Sequence, residues 1–188
     1  MSLSDRYQEL KAGINTLGID CTSQQLEKLL TYLELLERWN KAYNLTAIRD
    51  PIQMVRLHLL DSLAIHPYIQ AGKEIIDVGT GPGLPGIPLA ILNTNINFTL
   101  LDSNGKKTRF LFQAISDLSL ENAREVNQRV ENYQSQKPYD IVLSRAFSAI
   151  SDMLNQCDHL VSDKGFFLAM KGKNPDSELS QITKAYKV

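Results

Sequence analysis

Residues 75–91 read IIDVGTGPGLPGIPLAI and hold four of the chain's ten glycines and three of its seven prolines between two aliphatic runs. A short aliphatic run that stops at glycines and resumes as a second apolar stretch describes a strand, a tight turn and a helix. With no side chains at Gly79, Gly81, Gly83 and Gly86, the turn can close sharply. A ligand can then lie against bare peptide, facing the free N–H groups that begin the helix.

The flanking sequence repeats the same alternation. EIIDV (74–78), NFTLLD (97–102), a weaker AREVN (123–127), YDIVLSR (139–145) and GFFLAMK (165–171) read as strands. Helical patterns occupy about 84–92, 105–118, 147–161 and 175–184 between and after them. Strands separated by helix-length crossovers make a doubly wound, mostly parallel sheet covered on both faces. Upstream, Tyr7, Leu10 and Ile14, then Leu26, Leu29, Leu30, Leu33, Leu36 and Trp39, recur at three and four. That spacing predicts two helices broken around Gly18–Thr22, with either Thr22–Gln25 or Ser23–Glu27 as the cap of the second. A third helix starts at Asp50-Pro51 and stops before Pro67. The expected organisation is a helical N-terminal lobe over 1–70 and an α/β domain over 71–188, which suits 188 residues.

A strand feeding a glycine-rich turn and a helix is the nucleotide-binding start of a Rossmann-like sheet. Asp102, ending the second strand, stands where this fold uses an acid to take ribose hydroxyls. Both features suit two ligand classes. GPGLPG from Gly81 satisfies G-x-G-x-x-G, so an NAD-linked oxidoreductase is one alternative. Asp77 favours the other, because an anion beside a pyrophosphate is repelled whereas S-adenosylmethionine carries cationic groups and no phosphate. The D-x-G-x-G-x-G order of Asp77, Gly79, Gly81 and Gly83 is typical of class I S-adenosylmethionine methyltransferases.

RWNKAYNLTAIRD (38–50), HLLDSL (58–63), the glycine segment, TLLDSNGKKTRFL (99–111), RVE (129–131), LSRAF (143–147) and MKGK (170–173) together resemble one family, the bacterial small-subunit rRNA guanine-N7 methyltransferases, RsmG or GidB. The likeness covers about 38–175. It implies a class I fold, S-adenosylmethionine as cofactor, and methyl transfer to N7 of a guanine in 16S rRNA. It also implies cofactor contacts at Gly79, Leu84, Val130, Glu131 and Arg145, with Asp77 and Gly81 in the same loop and Asp102 on the ribose. Two features depart from the pattern: many relatives carry Ala where Pro82 stands, and they continue for about two strands beyond AYKV.

Guanine N7 offers an unprotonated lone pair at neutral pH, so alignment, rather than a general base, carries such a reaction. Arg145 and Phe147, at the carboxyl end of the fourth strand, are the candidate catalytic pair, Arg145 to position donor or base and Phe147 to pack beside it. A noncatalytic RNA-binding protein of the same fold is the second alternative.

The net charge of -1 supplies no general attraction for RNA, so RNA must be gripped locally. Candidate contacts are Lys106, Lys107 and Arg109, Lys171 and Lys173, and Arg38, Lys41, Arg49 and Arg56. Trp39 can stack a base or pack inward. Cys21 and Cys157 lack metal or disulfide spacing, and His58, Asp61 and Ser62 lack a G-x-S-x-G partner. Hence no metal is expected, and His58 with Asp61 is expected to join the N-terminal lobe to the glycine loop. Residues 1–30 show no signal-peptide order and no apolar run spans a bilayer. A cytoplasmic monomer acting on the small ribosomal subunit is expected.

Overall fold

The computed structural model describes residues 3–70, 72–147, 149–180 and 182. Helices α1 (Leu3–Thr16) and α2 (Ser23–Tyr43) come first. Of the two caps the sequence allows, Thr22–Gln25 forms: the Thr22 hydroxyl accepts from the Gln25 N–H while the Gln25 carboxamide reaches back to the Thr22 N–H. Asp50 caps α3 (Pro51–Met54), with Pro51 in the first turn. The helix then continues through a π segment, Val55–Leu60, into α4 (Asp61–Leu63). A short α5 (His66–Ile69) takes Pro67 into its first turn, so helix resumes where the sequence predicts a stop.

Strands β1 (Glu74–Val78), β2 (Asn97–Asp102), β3 (Ala123–Asn127), β4 (Tyr139–Ser144) and β5 (Val161–Ala169) form one sheet in the order β3-β2-β1-β4-β5, each neighbouring pair parallel. Three of the four crossovers are α6 (Gly86–Leu92), α7 (Gly105–Asp117) and α8 (Ile150–Cys157); β3 reaches β4 through a 3-10 turn, Val130–Asn132, and α9 (Asp176–Leu179) follows β5. The fourth predicted helix, 175–184, is seen over Asp176–Leu179, and its positions 181, 183 and 184 lie outside the described residues.

Side-chain alternation along each strand sorts the core into two faces. Ile75, Leu100, Ile141 and Leu143 pack with α1, α2, α6 and α7 residues, among them Leu10, Leu29, Leu36, Ile87 and Phe110. Ile76, Val78, Leu101 and Val142 pack on the other face with Met153, Cys157 and Leu160. The N-terminal helices thus share one continuous apolar core with the first face. Strand order reverses between β1 and β4, which opens a crevice at their carboxyl ends, where ligands of this architecture bind.

A cleft at the carboxyl ends of the strands

A cleft of about 310 Å³ opens at those strand ends. Gly79, Asp102, Val130, Glu131, Ala146 and Phe147 are among the residues that line it. The volume lies at the lower end for small-molecule sites. Five residues predicted from the sequence to act together, Gly79, Asp102, Val130, Glu131 and Phe147, are therefore gathered in one place, with Lys107 beside them.

Gly79 has φ of 68°, and a Cβ there would sit 2.6 Å from the Ala146 Cβ. Its bare peptide is thus required by the loop's turn and by the neighbouring Ala146. The glycines do not all serve a ligand, however. A Cβ on Gly86 would meet the Leu100 side chain at 2.3 Å and Asp77 Oδ2 at 2.9 Å. Gly83 is similarly crowded by Ile87 and Leu111. At these two positions the close neighbour is the protein's own core.

Asp102 anchors the loop from the next strand. Its Oδ2 accepts from the Gly81 N–H at 2.9 Å and lies 3.6 Å from Lys107 Nζ, while Oδ1 accepts from the Asn104 N–H at 2.8 Å. Gly81 itself does not line the cleft. Its N–H is aimed at the carboxylate and holds that group at the rim.

Asp77, Leu84 and Arg145 lie outside the cleft lining, and strand register explains two of them. Asp77 pairs in register with Leu100 and Leu143, so it points to the face packed by the N-terminal helices; Val78, the next residue, lines the cleft. Asp77 is fully buried, with Oδ2 accepting from the Thr80 hydroxyl at 2.6 Å and the Gly86 N–H at 2.9 Å, and Oδ1 without a partner. Burial pushes its pKa from 3.8 up to about 6, against the lowering effect of those two bonds and of nearby Arg145. Leu84 is buried in the core at the cis Leu84–Pro85 peptide.

Arg145 follows the same alternation. Ser144 turns toward Val78, donating its hydroxyl to that carbonyl, and Ala146 turns into the cleft. Arg145 points the other way, where Nη1 donates to Asp61 Oδ2 at 3.0 Å and to the Leu57 carbonyl at 3.4 Å. The π segment carries that carbonyl together with His58, whose Nε2 meets the Thr46 hydroxyl at 2.9 Å and whose Nδ1 is buried and unpartnered. Burial, then the Arg145 charge, lowers the His58 pKa, which favours the neutral ring. HLLDS thus joins the helices to the end of β4 through Asp61, while His58 bonds within the helical lobe, so among the described residues neither makes the expected hydrogen bond to the glycine loop. Tyr32 makes a second joint, donating to the Pro82 carbonyl at 2.8 Å from a buried position on α2.

Tyr32, Ala146 and the cleft residues Gln128, Arg129 and Gln156 were not identified from sequence. Ala146 was accessible, since period-two alternation from Ser144 predicts it. Tyr32 and Gln156 depend on helix packing and carried no local signal. Among the predicted RNA contacts, Lys106 and Arg109 are exposed on α7, Lys173 is exposed, Lys171 pairs with Glu178 at 2.9 Å, and Arg56 pairs with Glu9. Among the described residues no three His, Cys, Asp or Glu side chains gather as a metal set, and no helix is long and apolar enough to cross a membrane.

The sequence matches the model of the GidB family, rRNA small subunit methyltransferase G, over residues 25–188. It is 49% identical over 186 residues to ribosomal RNA small subunit methyltransferase G of Psychromonas ingrahamii, covering 99% of this chain and 88% of that protein. It is 50% identical over 180 residues to the protein of that name from Salmonella arizonae, covering 96% and 86%. In fold it is similar to coclaurine N-methyltransferase bound to N-methylheliamine and SAH, with a TM-score of 0.53 at 14% identity over 90% of this chain and 58% of that one. These likenesses decide between the two ligand classes left open by the glycine pattern: the fold is that of class I S-adenosylmethionine-dependent methyltransferases, and the chain belongs to the rRNA small subunit methyltransferase G family.

Proposed function

We propose that the protein transfers a methyl group from S-adenosylmethionine to N7 of a guanine in the 16S rRNA of the small ribosomal subunit, as a monomer in the cytoplasm. One observation carries the reading. In a chain of this family, a cleft at the strand ends presents bare peptide at Gly79 on one side and the Asp102 carboxylate at its rim. When bound there, S-adenosylmethionine supplies an activated methyl group.

The residues fit that ligand. Asp102 takes the ribose hydroxyls, sharing its Oδ2 with the Gly81 N–H. Val130 and Glu131 lie along the adenine. Phe147 and Ala146 line the same cleft and exclude water from the reacting atoms. Asp77 acts from beneath the loop, bracing Thr80 and Gly86 and contributing negative charge without touching the ligand. Arg145, Leu84 and Gly81 act on the same loop and strand end: Arg145 fixes the β4 terminus against Asp61, and with it the adjoining Ala146 and Phe147, and Leu84 sets the start of α6. Guanine N7 needs no proton removed, so the reaction calls for no general base. Alignment is the main contribution of the chain. Lys106, Lys107, Arg109, Lys171 and Lys173 hold RNA phosphates, and residues 1–70 form a lobe against the catalytic domain at 71–188.

The test is to map N7-methylguanine by chemical cleavage of 16S rRNA from cells with and without the protein. One cleavage site present only with the protein is the expected result. Identical patterns would overturn the proposal.

A further inference from the structure

Two segments of the sequence carry cations and no acids: 38–49 with Arg38, Lys41 and Arg49, and 105–116 with Lys106, Lys107 and Arg109. In a chain of net charge -1, 105–116 is a local excess of positive charge, whereas Arg38, Lys41 and Arg49 share a surface pocket with Glu34 and Glu37. The fold joins them through aromatic rings. Trp39 on α2 meets Phe110 on α7 edge-on, with ring centroids 5.7 Å apart, and stacks on Tyr43 at 5.2 Å and 28°. Tyr43 is thereby covered on one side by Trp39 yet remains 38% exposed. Arg49 reaches Asn44, the residue after Tyr43, with Nη2 donating to Oδ1 at 3.2 Å. Lys106, Arg109, Arg38, Lys41 and Arg49 are all exposed, and none forms an ion pair among the described residues. Lys107, one turn before Phe110, pairs with Asp102 and lines the cleft, so α7 carries residues of both the aromatic cluster and the site.

We infer that Tyr43, backed by Trp39 and Phe110, is a stacking platform for an unpaired base of the substrate RNA, with Arg49, Lys106 and Arg109 on the adjoining phosphates. The inference rests on the RNA-methyltransferase reading above and adds where the RNA lies. An aromatic face accepts any base, because every base has a π surface. Unpaired cations beside it give the salt-dependent attraction for phosphate that the chain as a whole lacks. Base-paired RNA offers no free face to such a platform, which commits the occupant to a single-stranded segment.

Trp39 is the sole tryptophan, so its fluorescence reports on the platform. The whole chain is titrated with a single-stranded oligoribonucleotide of about ten nucleotides, within the usual reach of one such groove, and with the same strand annealed into a duplex. The single strand should quench Trp39, and the duplex should quench it far less. Tyr43→Leu, which keeps apolar volume and loses the ring, should bind the single strand about 5- to 150-fold more weakly. Tyr43→Phe should bind like the parent, and S-adenosylhomocysteine affinity should be the same in all three. Lys106→Ala, at an exposed position, should lower the slope of log affinity against log salt by about 0.7. Unchanged RNA affinity and unchanged KM for RNA in Tyr43→Leu, with methylation by the parent protein intact, would overturn this inference alone. Equal quenching by duplex would also overturn it. Absence of RNA methylation by the parent would overturn the underlying reading as well.

Discussion

Replacing Asp77 with Asn should flatten the dependence of stability on pH. The carboxyl is fully buried, and its pKa rises on folding from 3.8 to about 6. A carboxyl with a raised native pKa binds more protons folded than unfolded, so it favours the native state below its unfolded pKa. That contribution is lost as pH climbs through about 6. At about 1.4 kcal/mol per tenfold, the full effect is about 3 kcal/mol, of which about 2 kcal/mol falls between about pH 4.5 and about pH 7.5. Asn keeps a carbonyl oxygen for Thr80 and Gly86 and removes the titration. Any constant cost of its buried amide cancels when only the change with pH is compared. His58, whose pKa is lowered, titrates in both proteins and cancels too. Urea unfolding of both proteins across this range should show the parent losing about 2 kcal/mol relative to the variant as pH rises. Saturating S-adenosylmethionine should narrow that gap, because nearby positive charge lowers the native pKa of a carboxyl. Parallel stability curves without ligand would refute the claim that a desolvated charge lies beneath the loop.

Gly79→Ala places a methyl 2.6 Å from the Ala146 Cβ at a left-handed position; the conformation alone costs about 1–2 kcal/mol, and calorimetry should find S-adenosylhomocysteine binding at least about tenfold weaker. Tyr32→Phe leaves the buried Pro82 carbonyl unpaired, and urea unfolding should register a loss of about 1–2 kcal/mol. Arg145→Ala frees Asp61, whose side chain is already 49% exposed, so the melting temperature should barely move. A single-turnover assay with labelled donor should nevertheless find no methyl transfer by that variant, and unchanged transfer would refute the role given to its tether to Asp61.

Strands β1, β2 and β3 begin and end where their residue patterns predict; for β1 and β2 the reason is an aliphatic run bounded by glycine, asparagine and charge. β5 starts at Val161, four residues ahead of the predicted 165, since Ser162, Asp163 and Lys164 mask the strand with polar side chains. α6 starts at Gly86 and not at 84, because Thr80–Pro85 is taken up by turns in which Gly83 and Leu84 bond back to Thr80. The π segment left no pattern, as its apolar spacing is that of any helix. At the site, the glycine motif pointed to Gly79 and Asp102, the family resemblance to Val130 and Glu131, and the end of the fourth strand to Phe147, and all five line a single cleft. Motif order did not say on which face of the strand ends Asp77 and Arg145 stand. Register decides that, and register follows from long-range pairing with β2 and β4.

The most direct test of the account is a crystal structure with S-adenosylhomocysteine. The ligand should lie between Gly79 and Val130, with its ribose hydroxyls on the Asp102 carboxylate and Asp77 still beneath the loop. Ligand density elsewhere, with this cleft filled by solvent alone, would contradict it.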